Sequence, residues 1–392
     1  MQQLKRVYDL SKKKFEIHMK NTDETLRECS ACTDGRFYSD NKGQQLSSMW
    51  CWMSSFVTGQ APVFYQNGHD SRYLKWANEF QKSYHKKMFE TPIESMHDIG
   101  FLYSPYSVMM YKLTGDKHHR EDALKAADEF AKRFDIKGHY IDAWGRMDDD
   151  ERVGRAIIDC MMNIALLMWA YTETKHTYYR DIAKAHADTT LKYFVREDYS
   201  IAHSFDFDRK TGEILRENNG CGYANGSYWA RGTAWAIYGY SILARYTKEE
   251  KYKETALNIL KSYRQQLKDS CIPVWDFRLP ENLPAKICGK GNDRTTWDEA
   301  KSENCIYNVD TSACVITACG AYELYKLTGD EELYSFSLKS AEEVCTEPYI
   351  NYDENIEGLL DYQNGQMSYT TYGDYFLIEL ISRLLYDIET CW

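Results

Sequence analysis

A short phrase recurs along this chain: an aromatic residue, two further positions, Thr-Gly or a near relative, then a stretch rich in Ala and aromatics. Copies are YKLTGDKHHREDALKAADEF from Tyr111, YTETKHTYYRDIAKAHADTTLKYF from Tyr171, YTKEEKYKETALNILKSY from Tyr246 and YKLTGDEELYSFSLKSAEEV from Tyr325. FVTGQ from Phe56 opens a looser copy. Regular recurrence of a helix–turn–helix unit signals a repeat architecture.

Mostly apolar segments precede the turns, at 46–58, 98–113, 155–171, 229–245, 310–326 and 371–386. Helices apolar nearly all round belong inside. Amphipathic candidates lie between them, near 3–20, 70–88, 120–133, 180–194, 251–268 and 331–346. Their spacing of three and four, as in Ala123, Ala126, Ala127 and Phe130, gives one buried face. Six inner and six outer helices in alternation predict an all-α (α/α)6 barrel, a six-hairpin toroid. Short strand signals at 201–207 and 272–277 fit β-hairpins in its loops. Residues 280–305, with Pro280, Pro284, Gly289 and Gly291, read as a polar insertion in one catalytic domain spanning 1–392.

The net charge of −11 disfavours nucleic acid or an anionic membrane as partner. No apolar run reaches the roughly 18 residues of a membrane span, and the N-terminus lacks a signal-peptide core. Twelve scattered cysteines then read as buried thiols of a reducing compartment, which predicts a cytoplasmic protein. Cys29 and Cys32 form one Cys-x-x-Cys pair, but a zinc site needs a second half at similar spacing. No metal and no cofactor is expected.

Asp159 is the one charged residue between Arg155 and Glu173, in a segment apolar on every side. Read as helix, Arg155, Asp159 and Asn163 stack in one column. That column points into a cavity or into a costly dry core. Burial raises a carboxyl pKa, as a general acid near neutral pH requires. The alternative is a buried Asp satisfied by backbone donors or by Arg155. Asp98, in Ser95-Met-His97-Asp98-Ile-Gly100, opens another inner helix. It reads either as an N-cap or as a second carboxyl at the same mouth, the usual arrangement for sugar hydrolysis. Arg231, in Trp229-Ala-Arg231-Gly-Thr-Ala-Trp235, suits a uronate carboxylate or an ion pair with an inner Asp. Trp144 and His203 lie in loops leading into or out of inner helices.

With these residues assembled, the chain resembles the unsaturated glucuronyl hydrolases of glycoside hydrolase family 88. The specific matches are His-Asp-Ile-Gly-Phe-Leu-Tyr at 97–103 and Gly154-Arg-Ala-Ile-Ile-Asp159-Cys-Met-Met-Asn163. Supporting matches are Ala143-Trp-Gly145, Trp229-Ala-Arg-Gly232, Asp310-Thr-Ser312, Thr317-Ala-Cys-Gly320 and Tyr372-Gly-Asp-Tyr375. The resemblance implies Asp159 as general acid and base and Asp98 as its partner. It places His97, Trp144, His203, Trp229 and Arg231 against substrate. The implied substrate is a disaccharide-sized oligosaccharide left by a polysaccharide lyase, whose terminal 4,5-unsaturated uronate is a vinyl ether that the enzyme hydrates. Two positions depart from the family pattern. Lys42-Gly-Gln-Gln-Leu-Ser-Ser-Met49 stands in place of a Trp-x-x-Gly-Phe-Trp-x-Gly stretch, with Trp50 as the nearest substitute, and Cys221 stands where a Gln is usual. Rival readings are an unsaturated rhamnogalacturonyl hydrolase and a non-catalytic carbohydrate-binding toroid.

Overall fold

The computed structural model describes residues 1–21, 31–32, 46–149, 151–279, 285–289, 297–301, 309–361 and 369–392. Its helices are α1 (Gln2–Asn21), α2 (Ser55–Thr58), α3 (Gln60–Gln66), α4 (Ser71–Asn78), α5 (Gln81–Glu90), α6 (Ile99–Tyr103), a π-helical turn (Ser104–Val108) and α7 (Met109–Thr114). They continue as α8 (Lys117–Ala131), α9 (Cys160–Asn163), α10 (Ala165–Thr174), α11 (Thr177–Tyr193) and α12 (Ala230–Thr247). The last four are α13 (Glu250–Gln266), α14 (Thr311–Thr328), α15 (Glu331–Val344) and α16 (Thr371–Tyr386). Short strands are β1 (Ala31–Cys32), β2 (Phe134–Asp135), β3 (Tyr140–Ile141), β4 (Gly154–Ile157), β5 (Ser204–Phe207), β6 (Ile214–Asn218), β7 (Ala285–Gly289), β8 (Trp297–Lys301) and β9 (Tyr369–Thr370).

The recurring Thr phrase has a definite physical job. Thr114, Thr174, Thr247 and Thr328 each donate a hydroxyl back to the carbonyl four residues earlier, at 2.7–2.8 Å. Each then accepts the backbone N–H two residues on, at 3.1–3.2 Å. The residue between, Gly115, Lys175, Lys248 or Gly329, takes a left-handed φ of 60–72° that stops the inner helix. Asp116 and Asp330 then cap the next helix through its backbone N–H. FVTGQ differs. Gly59 keeps helical angles, and a Cβ there would strike Pro105, so this glycine serves close packing rather than termination.

Inner helices touch in a closed circuit, α2 to α6, α6 to α9, α9 to α12, α12 to α14, α14 to α16 and α16 back to α2. Outer helices back them, α8 on α6, α11 on α10, α13 on α12, α15 on α14, α1 on α16 and α4 on α3. This is the (α/α)6 toroid. Its boundaries correct several expectations. The first inner helix runs over 55–66 rather than 46–58, and the outer segment 70–88 breaks into α4 and α5. Pro105 lacks an N–H, and the second inner helix widens into a π turn around it. Residues 272–277 form only isolated bridges, Trp229 with Asp276 and Val274 with Val309, and the 201–207 strand is confined to β5. In the insertion, β7 pairs antiparallel with β8, and its remaining residues lie outside the described ones.

The largest correction falls at 155–171. Arg155 belongs to β4, which pairs with β5 so that Arg155 stands directly opposite Asp206. Their ion pair is 2.6 Å long, and cross-strand partners of opposite charge favour the sheet over a helix. The column therefore fails at its first member. Asp159 sits at the N-cap of α9, not inside a helix, and Asn163 closes that single turn.

One end of the barrel is sealed. Trp392 is buried, stacks on Phe376 at 11° between ring planes, and donates its indole N–H to Glu379 at 2.9 Å. Glu323 beside it takes Arg383 at 2.6 Å and Arg245 at 2.8 Å, so these buried charges are compensated.

Candidate active site

The starts of the inner helices meet at the other end. Trp52 packs on Phe101 at 5.8 Å and stacks on Tyr372 at 5.4 Å. Arg231, at the start of α12, ion-pairs with Asp310 at the N-cap of α14 and lies over the rings of Trp229 (4.9 Å) and Tyr372 (5.4 Å). Ile158 packs where α12 passes at Gly232. Asp98, Asp159 and Arg231 thus face one mouth.

Asp159 is half-buried, and its Oδ2 is closed off from solvent with no hydrogen-bond partner among the described residues. Burial pushes its carboxyl up to about 6, against the lowering effect of the nearby Arg231 cation. The competing expectation, satisfaction by Arg155, fails because Arg155 is spent on Asp206.

Asp98 is buried, and its side chain caps nothing among the described residues. Its Oδ1 instead accepts from Asn163 Nδ2 at 3.2 Å. Burial first, and the Asp159 charge second, raise its carboxyl well above the usual range. Asn163, fully buried, also donates to the Asp159 carbonyl at 3.2 Å and accepts the Phe101 N–H at 2.7 Å. One side chain therefore ties both carboxyl-bearing turns together. Gly100 makes this possible, since a Cβ there would lie 2.5 Å from Asn163 Cα and 2.7 Å from its Oδ1. Gly100→Ala is expected to destabilise the protein by about 1–3 kcal/mol through forced separation of α6 and α9. Urea unfolding measures this, and unchanged stability would mean that the two turns do not pack so closely.

The remaining expected residues divide. His97 is buried, with Nε2 3.5 Å from Asp98 Oδ2. Burial lowers its pKa well below the usual value, so the ring is neutral and the contact is no ion pair. His203 accepts the Gly220 N–H at Nδ1 (2.9 Å), which leaves the neutral ring's proton on Nε2, and packs edge-on to Trp229 at 5.0 Å. Trp229 is buried, with its Nε1 lacking a partner among the described residues. Trp144 stands further out, under Arg155 at 5.2 Å and edge-on to Trp50 at 6.3 Å. Trp50 is 45% exposed, an open ring beside Trp144. Sequence reasoning gives Asn163 no role and misses Arg133. The Arg133 guanidinium is buried and donates to the carbonyls of Ser95 (2.8 Å), Asp142 (2.7 Å) and Gly145 (3.0 Å). It pins the loops carrying Asp98 and Trp144. An Arg just after an amphipathic helix is an ordinary surface residue by pattern, so nothing in the sequence marks it. Cys221 is half-buried, and its carbonyl accepts from Trp275 Nε1 at 3.0 Å. Among the described residues no three His, Cys, Asp or Glu side chains converge as a metal site, and Cys29 lies outside them.

A helical toroid with two carboxyls, a cation and indole rings at one mouth is a carbohydrate-processing scaffold, and the comparisons place it in a family. Residues 23–271 match Glycosyl Hydrolase Family 88, and the chain belongs to that family as a glycoside hydrolase. It is 31% identical over 353 residues to the unsaturated glucuronyl hydrolase of Bacillus sp. (strain GL1), covering 87% of this chain and 88% of that one. It is 29% identical over 354 residues to the unsaturated chondroitin disaccharide hydrolase of Streptococcus pneumoniae, covering 87% and 83%. The crystal structure of unsaturated glucuronyl hydrolase from Streptococcus agalactiae superposes with a TM-score of 0.82 at 26% identity, covering 100% of this chain and 94% of that one. Membership as an enzyme sets aside the non-catalytic toroid. The rhamnogalacturonyl reading is not favoured. No helix among the described residues is long and apolar enough to cross a membrane.

Proposed function

We propose that Asp159, assisted by Asp98, hydrates the C4=C5 bond of a terminal unsaturated uronate, the step by which this family 88 enzyme releases unsaturated uronic acid from the non-reducing end of a lyase-generated oligosaccharide. Asp159 gives its proton to C4, leaving positive charge at C5 shared with the ring oxygen. Water adds at C5 and returns its proton to the Asp159 carboxylate. The resulting hemiketal opens to a ketone at C5, and the hemiacetal at C1 then collapses and expels the remaining sugar. The observation that carries the roles is the Asp159 carboxyl, unpartnered at Oδ2 among the described residues and held near 6, where an acid–base catalyst at neutral pH works best. Asp98, raised by burial, serves as a hydrogen-bonding group for the water rather than as a source of negative charge. Arg231 receives the uronate carboxylate, while His97, Trp144, His203 and Trp229 contact the sugars.

The toroid works as one domain over 1–392, since a single core cluster runs from Leu4 to Trp392. Its place is the cytoplasm, a reading supported by Cys160, Cys271, Cys314, Cys319, Cys345 and Cys391, which are buried as free thiols. Turnover of unsaturated disaccharides from hyaluronan, chondroitin, heparin, gellan and pectin, followed by loss of enoate absorbance, tests the reaction. No loss with any of them would refute it.

Sulfate is expected to weaken the substrate. The segment from Gly358 to Tyr372 contains no Lys or Arg, and it carries Asp361. Residues 362–368 of that segment lie outside the described ones, as do the side chains of the insertion's Lys286, Lys290, Arg294 and Lys301. A sulfate facing this segment meets Asp361 and no cation of the segment itself, so it loses hydration and gains no partner there. Unsulfated chondroitin disaccharide is expected to show the higher kcat/KM against its 6-sulfated counterpart. An advantage for the sulfated sugar would point to the insertion as an anchor.

A further inference from the structure

Arg231 presents a problem that the mechanism leaves open. A cation suited to a uronate carboxylate stands beside an acid that must keep its proton. An opposite charge within about 4–6 Å lowers a carboxyl pKa by about 1–3. Arg231 does act on Asp159 in that direction, yet Asp159 remains raised.

The side chains around Arg231 supply an answer. Asp310 is buried and ion-pairs with Arg231 Nη1, and Ser312 Oγ lies 3.4 Å from the same nitrogen. Ser312 in turn donates to Asp310 Oδ1 at 2.6 Å, and the Ala313 N–H donates to that oxygen at 2.9 Å. Asp310 is therefore fixed by the first turn of α14, and it holds the guanidinium over the rings of Trp229 and Tyr372. Among the described residues, the other charged or titratable groups around Asp98, Asp159, Arg231 and Asp310 include Cys160, His97, His203, Arg133, Tyr372 and Tyr263. His97 is neutral, and Arg133 is bound to three carbonyls.

We propose that Asp310 is a positioning residue for the proton donor: it holds Arg231 at the mouth and offsets its charge, so that the cation can take a substrate carboxylate without stripping the proton from Asp159. The inference rests on the assignment of Asp159 as acid. A uronate arriving at Arg231 adds a second negative charge there, which reinforces the protonated state of Asp159 just when the proton is needed.

Asp310→Asn separates this role from a structural one, because Asn caps a helix as well as Asp does. The charge is lost and the cap is kept. The alkaline limb of kcat/KM against pH, which reports the unliganded enzyme, is expected near 6 in the wild type, and about one pH unit lower in Asp310→Asn. Arg231→Met is expected to move the same limb upward while raising KM. Opposite displacements by the two variants support the proposal, and an unmoved limb in a folded Asp310→Asn overturns it. Should Asp310→Asn not fold with an uncompensated guanidinium, the double variant Arg231→Met/Asp310→Asn decides. Its limb should coincide with that of Arg231→Met alone, and a further shift would mean that Asp310 acts on Asp159 directly. Asp159→Asn distinguishes the two levels. Full activity there removes the acid assignment itself, whereas an inactive Asp159→Asn beside unmoved limbs removes only the role of Asp310.

Discussion

Replacing Asp159 by Asn is expected to lower kcat by at least about a thousandfold and, at the same time, to stabilise the protein at neutral pH. Both effects follow from one carboxyl. The amide cannot deliver a proton to C4 or recover one from water, so hydration loses its acid and its base. The stability effect comes from the raised pKa. Folding favours the protonated form of Asp159, so its contribution is neutral at low pH and becomes a penalty as pH rises from the ordinary value of 3.8 through about 6. Above that window the ionised, half-buried carboxylate is fully penalised, by about 3 kcal/mol. Asn never ionises and escapes the penalty. The variant should therefore match the wild type in stability near pH 3 and exceed it above pH 6, by about 4 °C in Tm for a chain of this length. Thermal melts at the two pH values, beside turnover of an unsaturated disaccharide, measure both halves. A folded Asp159→Asn with ordinary turnover would defeat the mechanism. A variant that is equally stable at every pH would mean that the carboxyl is not desolvated.

The toroid is legible in the sequence because its defining signals are local. A Thr that bonds back to its own helix and receives the N–H two residues ahead is written in a few consecutive positions, and so is the αL residue after it. Apolar inner segments, amphipathic outer ones and the two Asp positions follow from the same short-range patterns. Arg155 escapes such a reading because its strand depends on Asp206, about fifty residues away, and a helix-like run of apolar residues from Ala156 onward conceals the break. FVTGQ misleads because Gly59 answers to Pro105 on a neighbouring helix. In the site, isolation and position single out the carboxyls, while the groups that hold them stay hidden. Arg133 acts through three backbone carbonyls, which carry no signature of residue type, and Asn163 acts through the Phe101 N–H and the Asp98 carboxyl, which only the fold brings to it.

Asp98→Asn is expected to cost about two to three orders of magnitude in kcat with little change in substrate binding. Asp98 opens α6, where an Asp is often retained as a cap, and a cap lost would lower stability by about 1 kcal/mol. The side chain makes no such bond among the described residues. It points instead to Asn163, whose Nδ2 can donate equally well to the carboxamide oxygen that takes the place of Oδ1 in the variant. Tm should therefore hold or rise, since the replacement also removes a carboxyl that burial disfavours in its charged form. The alkaline limb of activity should stay near 6, because what sets Asp159 is its own burial and Arg231. A residual rate with an unmoved limb thus identifies Asp98 as the group that orients water and leaves Asp159 as the group that transfers the proton. If Tm falls while turnover per folded molecule survives, Asp98 is a structural residue after all and the site has a single carboxyl. If the limb moves with the rate, the two carboxyls share their protons, and neither can be assigned the acid alone.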